Sequence, residues 1–219
     1  MSDVPPGDGP VQDADKRIIG IYSRHASAFV RKRSRALFEK PWLDRFLAVM
    51  PLEPAAMPHE AAVLDLGCGF GEPLGGYLIA AGCDVTGVDT SAELLAIAAA
   101  RFPDQAWIQA DMRTLGLGRR FHGVLAWDSF FHLTPQDQRG MFSVFRAHLL
   151  DGGVLMFTSG PTASVRIGEY EGEPLYHASL GPDEYRALLA RQGFDVLSHR
   201  AEDPDCGGHT VWLARLACK

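Results

Sequence analysis

The chain has 219 residues, 47% hydrophobic and 22% charged, with 21 Lys plus Arg against 27 Asp plus Glu and a formal charge of −6. That length corresponds to one or two domains, with a core large enough to need no disulfide or metal staple. The composition excludes wholesale disorder, and the acidic balance argues against a partner built on a phosphate backbone.

The charge is unevenly spread. Residues 1–15 carry four Asp and nothing basic, whereas residues 16–45 carry nine basic side chains against Glu39 and Asp44. The basic excess therefore lies in one short stretch near the N-terminus, and the rest of the chain is acidic. Cys68, Cys83, Cys206 and Cys218 form no CxxC pair, which fits a reducing compartment and no zinc site; no metal is expected. The N-terminus lacks the basic and apolar regions of a signal peptide, and no apolar run reaches a membrane span. A soluble, cytoplasmic protein is expected, without membrane or nucleic-acid partners, as a monomer or homodimer.

In chain order, residues 1–13 read as a disordered tail rich in Pro and Gly. Residues 14–58 read as a helical segment, interrupted near Glu39–Pro41 and ending at a proline-marked break. Leu43, Phe46, Leu47 and Met50 form its apolar stripe. From residue 59 the pattern alternates. A strand over 62–66 precedes a glycine turn at 67–71 and a helix from about Pro73 to Ala81. A strand over 84–88 is followed by a helix to Arg101, with Thr90-Ser91-Ala92-Glu93 as its capping box. Strands over 106–109 and 123–127, a helix from Pro135 to Leu150 and a strand over 153–158 continue the alternation. Residues 159–180 read as a loop or small insertion. A helix over 182–192 and strands over 194–200 and 210–216 complete the chain. This order predicts an α/β, doubly wound, Rossmann-like sheet, parallel with an antiparallel hairpin at its C-terminal edge.

The segment Val63–Gly71 ends a strand in Gly67-x-Gly69-x-Gly71, where a parallel sheet binds ligands. Glu72 follows, so neither the dinucleotide fingerprint nor a P-loop is completed. A carboxylate there repels a pyrophosphate. Asp89, ending the second strand about 20 residues on, stands where a carboxylate accepts from both ribose hydroxyls. Asp111 follows the third strand, where it can accept from an adenine amino group, and Met112 can pack on the ring. Each Asp alone is equally a turn residue; Asp65, Asp89 and Asp111 on successive strand ends point to a ligand.

These motifs resemble the class I S-adenosylmethionine-dependent methyltransferases. The resemblance rests on Leu64–Gly71, Gly87–Ser91, Ala110–Met112, Ala126–Asp128 with His132–Leu133, and Leu149–Leu155, with Asp151 where the family often has Pro. It implies a seven-stranded sheet and S-adenosyl-L-methionine as cofactor. Gly67, Cys68, Gly69 and Gly71 would wrap the methionine portion, with Asp65 or Glu72 facing its ammonium. Asp89 beside Thr90 would hold the ribose, Asp111 and Met112 the adenine, and Trp127 would sit beside the amino-acid portion.

His132 is the first choice for a base or acceptor-orienting group because its ordinary pKa lies nearest neutrality; capping of the next helix is its structural alternative. Tyr22 and His25 belong to a segment resembling the N-terminal lids of related enzymes. Tyr176-His177 and His209 are further candidates. Glu169, Glu171 and Glu173 read as a solvated acidic loop. The expected function is methyl transfer to a small-molecule acceptor, with a non-catalytic cofactor-binding module or an NAD(P)-dependent oxidoreductase as alternatives.

Overall fold

The computed structural model describes residues 14–51 and 61–218, with side chains from residue 17 onward. The expected N-terminal tail and the expected domain boundary near residue 58 lie outside the described residues.

Seven strands form one sheet: β1 (Ala62–Leu66), β2 (Asp84–Asp89), β3 (Ala106–Gln109), β4 (Phe121–Ala126), β5 (Leu149–Ser159), β8 (Phe194–Asp203) and β9 (His209–Leu216). Their order is β3-β2-β1-β4-β5-β9-β8. The first five run parallel, and β9 lies antiparallel between β5 and β8. The doubly wound sheet with its antiparallel C-terminal edge is therefore the one expected. Every residue of β1 is buried, as a central strand covered on both faces requires.

Helices cover the two faces. On one, α6 (Pro135–Ala147) and α7 (Pro182–Arg191) bury Phe142, Phe145 and Tyr185 against Phe157 and Trp212. On the other, α3 (Lys40–Ala48) buries Trp42, Leu43 and Phe46 against Val63, Leu125 and Met156. Gly123 of β4 makes this contact possible, since a Cβ there would lie 2.5 Å from Phe46 Cζ. α3 is thus a layer of the main sheet, and the cover over the site narrows to α1 (Ala14–Arg24) and α2 (Ala26–Lys32). The helical break falls at residues 33–39 rather than at 39–41, and Pro41 sits in the first turn of α3. α4 (Leu74–Ala80) and α5 (Ala92–Arg101) follow β1 and β2. Ser91 caps α5 by accepting from Leu94 N–H at 3.2 Å, while Glu93 accepts from the Ser91 hydroxyl. The cap is therefore one-sided, not the reciprocal box expected.

Two elements differ from expectation. α6 stops at Ala147, because Leu149 already pairs with Phe121 of β4 at the start of β5; the apolar spacing of Phe142, Phe145 and Leu149 runs unbroken across the boundary. Residues 159–180 are largely a hairpin, β6 (Ser164–Tyr170) with β7 (Glu173–Ser179). Its turn, Glu171-Gly172, has φ of +52° and +81°, as a two-residue turn matched to strand twist demands.

The hairpin is tied to the core through Gln138 and Tyr185. Gln138 donates to Leu133 O and Ala178 O, and its Oε1 accepts from the Tyr185 hydroxyl at 2.6 Å. That hydroxyl in turn accepts from Leu180 N–H at 3.0 Å. Both side chains are fully buried. Tyr185→Phe leaves two buried polar groups unpaired, and urea denaturation should show a loss of about 1–3 kcal/mol; an unchanged midpoint would contradict this tie.

Candidate active site

The carboxyl ends of β1, β2 and β4, and the turn after β3, open into a cavity of about 420 Å³. The glycine turn forms its floor. Gly67, Gly69 and Gly71 have φ of +76°, +55° and +79°, a left-handed backbone that side chains resist. Gly67 also packs where a Cβ would lie 2.2 Å from Ser129 Cβ. The turn hangs from β2: Gly67 N–H and Cys68 N–H both donate to Val88 O. Asp89 fastens it further, accepting Gly69 N–H at 2.8 Å and Ser91 N–H at 2.9 Å.

Asp65, Gly67, Cys68, Gly69, Gly71, Glu72, Asp89, Thr90, Asp111, Met112 and Trp127 all line this cavity, as do Tyr22 and His132. His25 does not; its Nε2 lies 2.7 Å from Glu173 Oε1 at the start of β7. Arg24 bonds the same carboxylate and Lys32 bonds Glu171. The acidic hairpin tip is therefore a fastening for α1 and α2 instead of a solvated loop. Arg24 and His25 hold the Glu173 carboxyl down at about 2.

The carboxylates of the cavity fall into two groups. Glu72 pairs with Arg101 and Arg35. Asp111 pairs with Arg113, which also reaches Asp137, and caps the turn Met112–Thr114. Arg113 keeps the Asp111 carboxyl below its ordinary range. Asp65 and Asp89 have no cationic side chain paired with them among the described residues. Burial, with the charge of Asp89 beside it, pushes Asp65 up to about 7. Burial also raises Asp89, against the pull of its backbone N–H donors.

The other end is aromatic. His132 Nδ1 lies 2.8 Å from Tyr176 O, a carbonyl that can only accept, so Nδ1 carries the hydrogen. Burial brings the ring down to about 4. It is therefore neutral near pH 7, and its Nε2 accepts from the Tyr22 hydroxyl at 2.9 Å. The near-neutral pKa that singled His132 out in the sequence is thus removed by burial, while its place at the cavity stands. His177 lies tilted at 4.8 Å from His132 and 5.3 Å from Phe131, with Nδ1 3.2 Å from Leu175 O.

Sequence reasoning did not foresee that Arg33, Asp128 and His209 converge. Arg33 bonds Asp128 at 3.2 Å and Glu39 at 3.1 Å, and His209 Nε2 lies 2.9 Å from Asp128 Oδ1. The only local signal was a charged residue directly after the apolar run Gly123–Trp127, with a left-handed φ of +49°.

The family model described as "Methyltransferase domain" matches residues 63–153. Over that stretch the chain is similar to methyltransferase domains. Over 101 residues it is 39% identical to the dTDP-3-amino-3,6-dideoxy-alpha-D-glucopyranose N,N-dimethyltransferase of Streptomyces fradiae, covering 45% of this chain and 39% of that protein. It is 34% identical over 101 residues to the dTDP-3-amino-3,4,6-trideoxy-alpha-D-glucopyranose N,N-dimethyltransferase of Streptomyces venezuelae, covering 45% and 42%. The chain thus spans about two fifths of the length of these curated relatives. The Burkholderia thailandensis 1,6-didemethyltoxoflavin-N1-methyltransferase, solved with 1,6-didemethyltoxoflavin and S-adenosylhomocysteine, superposes with a TM-score of 0.70 at 22% identity. That match covers 99% of this chain and 93% of the other, and it shows the methyltransferase domain fold. No helix among the described residues is long and apolar enough to cross a membrane.

Asp65 also makes the ligand-free domain sensitive to pH. Its folded pKa of about 7 lies above the ordinary 3.8, so its contribution to stability is complete below 3.8 and is lost as pH rises through about 7. Melting followed by circular dichroism should show Asp65→Asn more stable than the native chain at pH 8, with a smaller fall between pH 5 and pH 8. Parallel curves for the two proteins would contradict the buried, raised carboxyl.

Proposed function

We propose that this protein transfers a methyl group from S-adenosylmethionine to a small-molecule amine. The observation that carries the reading is the row of carboxylates, Asp65, Asp89 and Asp111, around one left-handed glycine turn in one cavity. Carboxyl groups at Asp65 and Asp89 without a cationic partner among the described residues suit a cationic, ribose-bearing ligand, which draws out their ionised form, and disfavour a pyrophosphate. That weighs against an NAD(P)-dependent oxidoreductase on the same layout.

The residues present fit the cofactor. Asp89 would accept from the ribose hydroxyls beside Thr90, and Asp111 from the adenine amino group, with Met112 against the ring. The glycine turn and Cys68 would wrap the methionine portion, with Trp127 beside it. Of the two carboxylates expected to face the ammonium, Glu72 is taken up by Arg101 and Arg35 at the rim, which leaves Asp65. The Arg33–Asp128 pair complements a zwitterionic amino-acid end: a guanidinium for the carboxylate, and an acid for the ammonium. Asp128 lines the cavity, with Oδ2 accepting from Arg33 and Oδ1 facing His209.

When bound, the cofactor supplies an electrophilic methyl carbon on a sulfonium. The chain supplies orientation and a dry site. Tyr22 donates to His132 and presents the lone pairs of its oxygen, so it holds the acceptor by an N–H or O–H. This dyad supports catalysis over a non-catalytic binding module. Buried and near 4, His132 is a weak base that stays neutral, so it fixes Tyr22 while the amine arrives with its lone pair free. The arginines lining the cavity, Arg33 and Arg113, are each paired with acids, which favours an acceptor without an anionic reacting end. The two curated relatives, named as amino-sugar N,N-dimethyltransferases, support an amine.

Calorimetry with S-adenosylhomocysteine tests the reading. The native chain should bind it, and Asp89→Ala should lose at least about tenfold in affinity. Binding of NADH in place of S-adenosylhomocysteine, or an Asp89→Ala variant of native affinity, would refute it. With an accepted amine, Tyr22→Phe should lower kcat about tenfold or more while S-adenosylhomocysteine affinity stays within about twofold. The kcat profile should show no ionisation of His132 between about pH 6 and 8; an inflection there that His132→Gln abolishes would contradict its neutral, buried state.

A further inference from the structure

The loop before β9 delivers a histidine to the cavity with both ring nitrogens committed. His209 Nδ1 lies 2.7 Å from Cys206 O, and a carbonyl only accepts, so Nδ1 carries a hydrogen. Nε2 faces Asp128 Oδ1 at 2.9 Å, an ion-pair distance without the alignment of a hydrogen bond. The imidazolium is the one form that satisfies both neighbours. Phe38 stacks on the ring at 5.8 Å and Trp127 lies at 5.4 Å, aromatic faces that suit a cation. The titratable groups near the ring are Asp128, Glu39 and Cys206, and the Asp128 carboxylate raises the His209 pKa against the effect of burial.

The loop is built to hold this pose. Gly207 and Gly208 take left-handed φ of +62° and +78°. Asp203 caps the preceding turn and accepts from Trp42 Nε1 of α3 at 2.8 Å. On the other side of Asp128, Arg33 comes from the end of α2. A half-buried carboxylate is thus flanked by two cations from elements far apart in the chain, and its backbone N–H is fixed to Thr158 Oγ1 at 2.9 Å. Burial opposes the ionised form of Asp128, and His209 with Arg33 outweighs it.

We propose that His209 is a positioning residue for the amino-acid end of the cofactor, acting through Asp128. This rests on the S-adenosylmethionine reading above. With His209 present, Asp128 is balanced between two cations and held in place at the cavity wall. Without it, the carboxylate collapses onto Arg33 and both partners of the amino-acid end are lost.

The test compares two ligands by calorimetry: S-adenosylhomocysteine, and 5′-methylthioadenosine, which lacks the amino-acid end. His209→Phe keeps a ring between Phe38 and Trp127 but removes both N–H groups. It should weaken S-adenosylhomocysteine about tenfold or more and change 5′-methylthioadenosine less than about twofold. His209→Gln, which retains an N–H donor, should recover part of the loss; if the Phe variant does not fold, this variant alone carries the comparison. Equal losses for the two ligands would overturn the proposal in favour of a packing role. Native affinity for both ligands would also overturn it. Failure of the native chain to bind S-adenosylhomocysteine would instead sink the cofactor reading beneath it.

Discussion

Two carboxylates at the ends of neighbouring parallel strands, Asp65 and Asp89, set the terms for everything above the sheet. They share a buried corner in which like charges repel and desolvation disfavours ionisation. The fold answers with backbone instead of side chains. Asp89 accepts the N–H groups of Gly69 and Ser91, so the carboxylate expected to meet a ribose is also what shapes the glycine turn. Asp65 has no such donor and is driven up to about 7.

The cover over the cavity follows a different physics. α1 and α2 pack a small apolar cluster, with Ala26 and Phe29 against Phe70 and Leu94, and are fastened by charge at the hairpin tip, where Arg24, His25 and Lys32 meet Glu173 and Glu171. Such exposed pairs contribute little each and weaken with salt. The base of the hairpin, by contrast, is bound to the core through buried Gln138 and Tyr185. The aromatic end of the cavity thus has one wall fixed by buried hydrogen bonds and another fastened in part by solvated ion pairs.

Much of this was legible in the sequence because it is local. Ala62–Leu66, Asp84–Asp89 and the turn between Gly67 and Gly71 are short apolar runs ended by glycine or aspartate, and their order alone dictates a parallel sheet. The hairpin at 164–179 was not legible, since Gly160, Pro161, Gly168, Gly172 and Pro174 break the alternation that marks strands. α6 was extended too far because the apolar spacing of its last turns continues into β5. The roles of His25 and His132 illustrate a deeper limit. The lid resemblance pointed to His25 and near-neutral titration to His132, yet one is an ion-pair partner outside the cavity and the other is buried, neutral and tied to a carbonyl. Arg33, Asp128 and His209 meet from positions about 80 to 95 residues apart along the chain, and no spacing rule reaches that far.

The central claim is that the carboxylates of this cavity are arranged for a cationic adenosyl cofactor. A crystal structure of the chain with S-adenosylhomocysteine tests it most directly. The account predicts both ribose hydroxyls within hydrogen-bond distance of Asp89, the adenine amino group beside Asp111, and the amino-acid end between Arg33 and Asp128. A ligand bound with its ribose away from Asp89, or outside the glycine turn altogether, would contradict it.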